Sequence, residues 1–461
     1  MKRIFTFITI LAAAVMLVAC GGDRNDNRGE KLVEWYELSK DADYDGSKVT
    51  VKFWHRMGAN NQATVQKWIK EFNEIYPNIT IDEEKVADNY DQLAEKISLS
   101  ITSGNVPHIA ESYPDHIARY AQGNAPLALN NFISNPNIGY TEAEINDFLS
   151  GLWAEGSSYD RAGTILSLPF TKSSEALFYN KAYFDEKGYE VPTTWEELFA
   201  LAETIKKDEP DAIPFGYDSE PNLFITASEQ LGIPYTGYNE KTGKGEVLFN
   251  NDESKEMAKY FHDKVSRGLM LTRALNNNAY TSDIMKTGEK LYMYVGSTGG
   301  AQYSYGKDEV FNNGYRVGVA PVPTFEGKAR KQIQQGPNIN LFRKSNEQEM
   351  IAAWLFAKFM LEAERTAEFA LASGYAPIRH SAYETDTWKN YVAGIKENPA
   401  NVKEATAKVI KEAIELFRNN EEIFFTSAVF NTSSKTRIEV GNMLVKILAY
   451  NGNDLDTFIN K

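Results

Sequence analysis

The first part of the chain alternates between segments with a strand pattern and segments with a helical pattern. Residues 49–54 are β-branched and aromatic in a way typical of a strand. Apolar residues then recur at helical spacing until Pro77, which ends that helix. A second strand at 78–81, a second helix ending at Gly104 and a third strand at 106–110 follow. This alternation predicts an α/β domain with a largely parallel sheet.

A similar alternation continues from residue 176 onward. A strand pattern covers 176–179, and residues 194–197 have the Thr-x-x-Glu pattern of a capping box at a helix start. The strand pattern of 290–295 runs into the glycine-rich turn 296–300. Such a turn can present N–H groups and hydroxyls to an anionic or oxygen-rich ligand, or can be only a tight connection. Residues 345–348 then predict the start of a long helix, and the remainder is mainly helical.

The amino-terminal residues follow a different pattern. Met1-Lys2-Arg3 is positively charged, and the apolar run 4–18 is shorter than the roughly 20 residues that a membrane-spanning helix needs. We therefore expect a signal peptide over 1–20. Cys20 follows Leu-Val-Ala and precedes glycine, which resembles the bacterial lipobox, whose cysteine is acylated. The alternative for Cys20 is an ordinary thiol at the end of a cleaved peptide.

Residues 21–47 are polar and charged, so they predict a tether between a lipid anchor and the folded body. Within them, the apolar residues of 32–38 leave open one short helix. The body is acidic, with 49 Lys and Arg against 63 Asp and Glu and a net charge of −14. This balance argues against nucleic acid as a partner, because phosphate-backbone binding needs clustered Lys and Arg. A single cysteine excludes an internal disulfide and any CxxC motif.

Motifs for catalysis are absent from the sequence. It contains no G-x-S-x-G elbow, no phosphate-binding P-loop and no H-E-x-x-H pair. His108, Glu111, Asp115 and His116 form a metal-like cluster, but Pro114 breaks the helical register that would gather them. Solvated loop residues are the better interpretation of that cluster. We expect no catalytic residue, no metal and no cofactor.

Several residues could instead bind a small polar molecule. Aromatic rings next to polar residues could stack on the apolar face of a sugar, although core packing is favoured for any single ring. These rings are Trp54, Tyr113, Phe170, Phe224 and Tyr375. Arg437 could hold a phosphate or carboxylate through its planar guanidinium, or be a surface helix arginine.

Together these segments carry a resemblance to a known family. The motifs are Phe53-Trp54-His55-x-Met57, Ser103-Gly104-Asn105-Val106-Pro107, Leu168-Pro169-Phe170, Leu177-Phe178-Tyr179-Asn180-Lys181, Pro192-Thr193-Thr194-Trp195-Glu196-Glu197-Leu198, Gly336-Pro337-Asn338 and Gly374-Tyr375-Ala376-Pro377-Ile378. In them the chain resembles the extracellular solute-binding proteins of family 1, which serve bacterial ABC importers and include maltose binders and glycerol-3-phosphate binders. The resemblance spans nearly everything after residue 47.

The resemblance implies a two-lobe α/β architecture, the type II periplasmic-binding-protein fold, with an interlobe cleft for the ligand. The first lobe would comprise 48–175 and 332–376, and the second 176–331 and 377–461. The chain would cross between lobes near 174–175, 331–335 and 375–378.

The glycerol-3-phosphate-binding members imply the site. Their contacts fall on Tyr90, on Ser173 or Ser174, on Ser297 or Thr298, and on Gly336, Tyr375 and Arg437, the last two at the phosphate end. The sequence departs from that pattern where Pro114 replaces an acid, with Asp115 next, and where Pro221 and Phe224 replace a tryptophan region. With Trp54 and Tyr113, these residues form the expected ligand site. The ligand would be a sugar, a sugar phosphate, a glycerol phosphate or a glycerophosphodiester.

The expected function is that of an extracytoplasmic, monomeric receptor, lipid-anchored to the cell membrane, which captures a small solute and delivers it to an ABC permease. Two other classes stay open at this point. A secreted carbohydrate-active hydrolase would use two carboxylates about 5–9.5 Å apart across a cleft. A surface adhesin would have no small ligand and no stabilisation by any solute.

Overall fold

The computed structural model describes residues 31–239 and 241–460, and the predicted signal peptide with Cys20 lies outside them. The strands in chain order are β1 Val49–His55, β2 Ile79–Lys85, β3 Ile109–Ser112, β4 Leu168–Pro169, β5 Glu175–Asn180, β6 Ile213–Tyr217, β7 Thr236–Tyr238, β8 Gly245–Val247, β9 Met270–Thr272, β10 Leu291–Ser297, β11 Val317–Ala320, β12 Gln332–Ile333, β13 Asn338–Leu341 and β14 Phe424–Phe425.

The α-helices in chain order are α1 Ala59–Ile75, α2 Tyr90–Ser103, α3 Pro114–Ala121, α4 Asn130–Ile133, α5 Glu142–Asn146, α6 Ser150–Glu155, α7 Lys181–Lys187, α8 Trp195–Asp208, α9 Glu220–Leu231, α10 Asp252–Ser266, α11 Thr281–Met285, α12 Asp308–Asn312, α13 Glu347–Met360, α14 Ala363–Ser373, α15 Asp386–Gly394, α16 Val402–Arg418, α17 Ser433–Leu448 and α18 Leu455–Ile459. Among the described residues, no helix is long and apolar enough to cross a membrane.

Local sequence signals explain several element boundaries. The capping box before α8 forms, with the Glu197 N–H donating to Thr194 Oγ1 at 3.1 Å. Gly104 ends α2 in the left-handed conformation, which a residue without Cβ adopts at little cost. The cap of α13 differs from the prediction, because Asn346 rather than Ser345 accepts the Gln348 N–H.

The sheet of the first lobe has the order β2-β1-β3-β13-β4. Strand β1 pairs in parallel with both β2 and β3, as the strand–helix alternation predicts. Strand β13 pairs antiparallel with β3 and with β4. The expected largely parallel sheet is therefore mixed. The reason is topological, since β13 enters the sheet after the chain has returned from the second lobe.

The sheet of the second lobe has the order β11-β5-β10-β6-β9. Strands β10, β6 and β9 run parallel, whereas β5 is antiparallel to both β10 and β11. Helices cover both faces of this sheet. On one face α8, α9, α10 and α17 pack around Trp195, and on the other α16 packs against β11.

Three segments lie side by side where the lobes meet. Lys172 bridges to Ala376, and Ser173 bridges to Gln335, so the segments following β4, β12 and α14 contact one another. Helix α14 faces both cores, because Phe369 packs in the first-lobe core and Ala370 in the second-lobe core.

Residues 378–381, expected in the second lobe, contact the first. The Leu149 N–H donates to the Ile378 carbonyl, and buried Arg379 pairs with Asp147 at 3.2 Å. The guanidinium carbon of Arg379 also lies 3.8 Å from the centre of the Phe148 ring. This buried ion pair, rather than any local sequence signal, holds the segment on the first lobe.

The second half of the expected tether packs on the first lobe instead of extending from it. Val33 is buried, the Leu32 N–H donates to Asp160 Oδ2 at 2.7 Å, and the Trp35 indole donates to Thr164 at 3.0 Å. Residues 32–38 form no helix, and Trp35 bridges to Ala128 in extended conformation. Burial of apolar side chains favours this docking over solvation.

Candidate functional site in the cleft between the lobes

The carboxyl ends of parallel strands from both sheets meet at one cleft. Arg56 follows β1 and Tyr113 follows β3 in the first lobe, whereas Asp218 follows β6 and Ser297 ends β10 in the second. The volume of the cleft is about 1090 Å³. Loops beyond the carboxyl ends of such strands commonly form ligand sites in α/β folds. The cleft is therefore the candidate site.

Seven of the sequence-predicted site residues line this cleft. They are Tyr90, Tyr113, Asp115, Ser173, Ser297, Tyr375 and Arg437. Gly336 lines a smaller adjoining pocket of about 80 Å³, which Tyr113, Asp115 and Arg437 also border. The structure thus gathers residues that are up to 347 positions apart, from Tyr90 to Arg437, around one space.

Four predicted site residues do not line the cleft. Trp54 packs against the apolar cluster of α2 and α3 and is not part of the cleft lining. Phe224 is fully buried and contacts the Phe249 ring edge-on at 5.8 Å. Ser174 and Thr298 are also buried, and their backbone and side chains bond each other where β5 and β10 pair. These four residues serve the cores of the lobes.

Aromatic rings and a guanidinium form the first-lobe wall of the cleft. Tyr90 meets Tyr113 edge-on, with ring centres 4.9 Å apart. The guanidinium carbon of Arg56 lies 4.8 Å from the centre of the Tyr90 ring, a cation–π arrangement. Tyr375, from the crossing segment, lines the cleft together with these three side chains. A Cβ on Gly299 would lie 2.9 Å from the Tyr375 ring. A side chain at position 299 would therefore displace the Tyr375 ring.

A buried hydrogen-bond chain supports Arg437 in the second-lobe wall. The guanidinium of Arg437 donates to Asn222 Oδ1. The Asn222 amide nitrogen donates to Glu175 Oε1 at 2.7 Å, and the Tyr217 hydroxyl donates to Glu175 Oε2 at 2.6 Å. Burial raises the pKa of Glu175 to about 7. Because the Asn222 nitrogen donates to Glu175, the amide oxygen is the atom that faces Arg437, and it orients the guanidinium.

A second buried carboxyl lies behind the first-lobe wall. Glu111 in β3 is 1 % exposed, and its Oε2 accepts a hydrogen bond from the main-chain N–H of Arg56 at 3.1 Å. Burial raises the pKa of Glu111 to about 7, and the hydrogen bond and charge of Arg56 act in the opposite direction. The desolvation of the carboxylate exceeds the favourable effect of Arg56.

The glycine-rich turn after β10 presents hydroxyls to the cleft. The Ser297 hydroxyl lies 3.3 Å from that of Ser173 in the crossing segment, and it accepts the Gly299 N–H at 3.2 Å. Two hydroxyls from different lobes are therefore neighbours. Such a pair can bond the hydroxyl or phosphoryl oxygens of a solute.

The crossing segments enclose a fully buried lysine. Lys172 pairs with Glu155 and donates to the Gly336 carbonyl at 3.0 Å. The Gln334 amide donates to the other oxygen of Glu155 at 3.0 Å. Burial lowers the pKa of Lys172. The ion pair joins α6 of the first lobe to two crossing segments directly beneath the cleft.

The metal-like cluster of the sequence is dispersed. His108 accepts the Lys52 N–H and lies 3.2 Å from Glu349, away from Glu111. His116 lies 3.6 Å from Asp91, and this contact lowers the pKa of Asp91. Across residues 31–239 and 241–460, no three His, Cys, Asp or Glu side chains are grouped to hold a metal ion.

Sequence reasoning missed several cleft residues. Arg56 directly follows the strand pattern of 49–54, so the rule on strand carboxyl ends could have identified it. Glu111 lies behind the cleft wall, and its sequence position suggests only the metal-like cluster. Glu175 and Asn222 carry no local signal, because the contact between them joins two elements that are separate in sequence.

Comparison with known proteins agrees with this geometry. The family model of the bacterial extracellular solute-binding proteins matches residues 67–397. The chain belongs to this family. Its relatives include the sn-glycerol-3-phosphate-binding periplasmic protein UgpB of Salmonella typhimurium, which is 25% identical over 358 residues, covering 74% of this chain and 77% of the relative. The Escherichia coli K12 protein of the same name is 24% identical over 351 residues, covering 73% and 75%.

Solved structures share the two-lobe architecture of this solute-binding protein. UgpB from Mycobacterium tuberculosis, in complex with glycerophosphocholine, superposes with a TM-score of 0.68 at 18% identity and covers 90% of this chain and 96% of that one. The GacH receptor of Streptomyces glaucescens gives a TM-score of 0.68 at 19% identity, covering 87% and 93%. At these identities the comparison shows the fold, which confirms the predicted two-lobe class.

Proposed function

We propose that this protein is the receptor of an ABC importer and captures a sugar or a glycerol-phosphate-type solute in the interlobe cleft. The observation that carries the proposal is the position of Arg437, which lines the cleft and donates to the neutral Asn222 oxygen. A guanidinium held in this way can bind a phosphoryl group through two parallel N–H donors. Relatives that bind glycerol phosphates by name support the same ligand class.

The ligand-contact roles follow from the cleft lining. Tyr90, Tyr113 and Tyr375 offer ring faces and hydroxyls, Ser173 and Ser297 offer hydroxyls, and Asp115 accepts hydrogen bonds from a polyol. Gly336 would contribute its backbone at the adjoining pocket. A solute that contacts both walls shifts the open–closed equilibrium toward the closed form, and the permease would recognise that form. No covalent step is part of this function.

Cys20 would carry the lipid that holds the receptor on the outer face of the cell membrane. Each buried CH₂ of an acyl chain contributes about 0.8 kcal/mol, so two or more chains anchor a folded domain firmly. The receptor would act as a monomer, with residues 21–30 as the link to the membrane and residues 31–47 docked on the first lobe.

The test is isothermal titration of the receptor lacking residues 1–20 with glycerol-3-phosphate and with maltose. Arg437→Ala should weaken glycerol-3-phosphate binding by about 1.5–3 kcal/mol, the contribution of a hydrogen bond to a charged group. Maltose binding should change far less. An unchanged affinity for the anion would remove the phosphate assignment, and turnover of chromogenic glycosides would favour a hydrolase.

A further inference from the structure

Among the described residues, four lysine and arginine side chains line the cleft, and two of them are held by neighbouring groups of the second lobe. Lys286 pairs with Asp283, and the Arg273 Nε donates to the Asn278 carbonyl at 3.1 Å. The guanidinium of Arg273 also stacks on the exposed Tyr280 ring at 4.2 Å. Lys286 therefore has a carboxylate partner, and Arg273 is held at the second-lobe side of the cleft by a carbonyl and a ring.

The other two basic side chains are Arg56 and Arg437, and within the described part of the chain neither has a carboxylate oxygen within 4.0 Å. Both are half-buried. The Nε of Arg56 is buried and has no hydrogen-bond acceptor among the described residues. Arg437 donates to a neutral amide oxygen. A partly desolvated guanidinium with no carboxylate in direct contact is stabilised when an anion binds it.

The two arginines come from opposite lobes and act on the same phenol. Arg56 follows β1 in the first lobe, and Arg437 lies in α17 of the second. Burial raises the pKa of Tyr113, and the charges of both arginines lower it. The geometry agrees: the Tyr113 ring meets the Tyr90 ring, over which Arg56 lies, and Tyr113 borders the adjoining pocket together with Arg437.

The position of Arg56 over the Tyr90 ring leaves its side chain able to bind an anion in the cleft. Its guanidinium lies over the Tyr90 ring, and that ring is held edge-on by Tyr113. A stacked guanidinium keeps its N–H donors free in its own plane, where they match phosphoryl oxygens. The adjacent Glu111 is a weak counter-ion, because burial raises its pKa to about 7.

We propose that Arg56 is a first-lobe contact for a phosphoryl group that Arg437 binds from the second lobe. The inference rests on the proposed function and narrows its ligand to a phosphorylated polyol, either a phosphomonoester or a phosphodiester. One phosphoryl group then bridges the two walls, so its binding is coupled to closure of the cleft.

The experiment measures dissociation constants of glycerol-3-phosphate, glycerophosphocholine and maltose for the receptor lacking residues 1–20. The variants are Arg56→Gln, Arg437→Gln and their combination. Arg418→Gln is the control, because it removes one positive charge from an exposed arginine outside the cleft. Circular dichroism of each variant verifies folding, and Arg56→Lys tests partial rescue.

Arg56→Gln should weaken binding of the phosphorylated ligand about 10- to 100-fold, as expected for a hydrogen bond to a charged group. The losses of the two single variants should be non-additive by at least about threefold, because both contact one group. A loss confined to glycerol-3-phosphate assigns the contact to a monoester, and a loss for both ligands assigns it to oxygens that the diester shares.

Two results would overturn the inference while leaving the receptor function intact. One is phosphate-ligand affinity in Arg56→Gln equal to that of the Arg418→Gln control. The other is a wild-type protein that binds maltose and neither phosphorylated ligand. Failure of all three ligands to bind would instead overturn the proposed ligand class and, with it, the inference.

Discussion

Replacing Glu111 with glutamine should stabilise the protein at pH 8 and change its stability little at pH 5. Glu111 Oε2 accepts a hydrogen bond from the main-chain N–H of Arg56, and the side-chain carbonyl of glutamine can accept the same hydrogen bond. The substitution therefore removes the buried charge and keeps the hydrogen bond. Its effect on the free energy of unfolding isolates the desolvation of this carboxylate.

The magnitude follows from the shift in pKa. Burial raises the pKa of Glu111 from 4.5 to about 7, and one pKa unit corresponds to about 1.4 kcal/mol. Below pH 4.5 both the folded and the unfolded chain hold the proton. Between pH 4.5 and 7 only the folded chain holds it, so stability falls as the pH rises, and the loss is complete above pH 7. The full loss is about 3 kcal/mol.

The assay is urea-induced unfolding of wild type and variant at pH 5 and pH 8, followed by tryptophan fluorescence. Glu111→Gln should gain about 3 kcal/mol over wild type at pH 8 and at most about 1 kcal/mol at pH 5. Glu197→Gln is the control, because the pKa of Glu197 is lowered by the capping hydrogen bonds of Thr193 and Thr194. The ionised Glu197 contributes its stabilisation fully above pH 4.5, so Glu197→Gln should change the free energy of unfolding equally at pH 5 and pH 8.

Equal differences between Glu111→Gln and wild type at pH 5 and pH 8 would refute burial as the cause of the raised pKa. A variant less stable at pH 8 would also refute it. Other groups that titrate between these pH values are common to both proteins and cancel in the comparison.

Two further predictions concern the crossing segments. Lys172→Met should lower the free energy of unfolding by about 3–5 kcal/mol in urea, because it leaves buried Glu155 without its cation; Lys172→Met with Glu155→Leu should recover most of that loss, and no recovery would argue against the ion pair. Gly336→Ala should destabilise by more than about 1 kcal/mol in thermal unfolding, because φ is 102° and its Cβ would lie 1.8 Å from the Thr171 carbonyl oxygen. Gly327→Ala, with φ of 72° and open space, is the control; an equal loss there would reduce the effect at 336 to backbone strain alone.

Local patterns predicted much of the fold correctly. Strand β1, helices α1 and α2 and the capping box of α8 depend on residues within a few positions of one another. Strand β3 begins later than its apolar pattern, because Pro107 has no N–H to donate to a neighbouring strand. The mixed pairing of the first sheet could not be predicted, since β13 reaches β3 across more than 200 residues.

The predicted site residues also fall into two groups, those that line the cleft and those that are buried in a core. Tyr90, Tyr375 and Arg437 are expected from the family resemblance and line the cleft. Phe224 and Thr298 carried equally suggestive patterns and are buried in the second lobe. An apolar or hydroxyl residue at a turn or helix start looks the same in sequence whether it faces a core or a cleft, because periodicity marks a face but not what covers it.

By itself, the sequence determined the alternation of strands and helices, the caps that bound them and, through its motifs, the family. Only the tertiary structure decided which groups lose water and which meet across the cleft. Glu111 and Glu175 acquire their raised pKa values from burial by distant elements. Arg56 and Arg437 line one cleft only when both lobes have folded and meet. Charge, solvation and burial are long-range properties of the packed chain, so no local pattern encodes them.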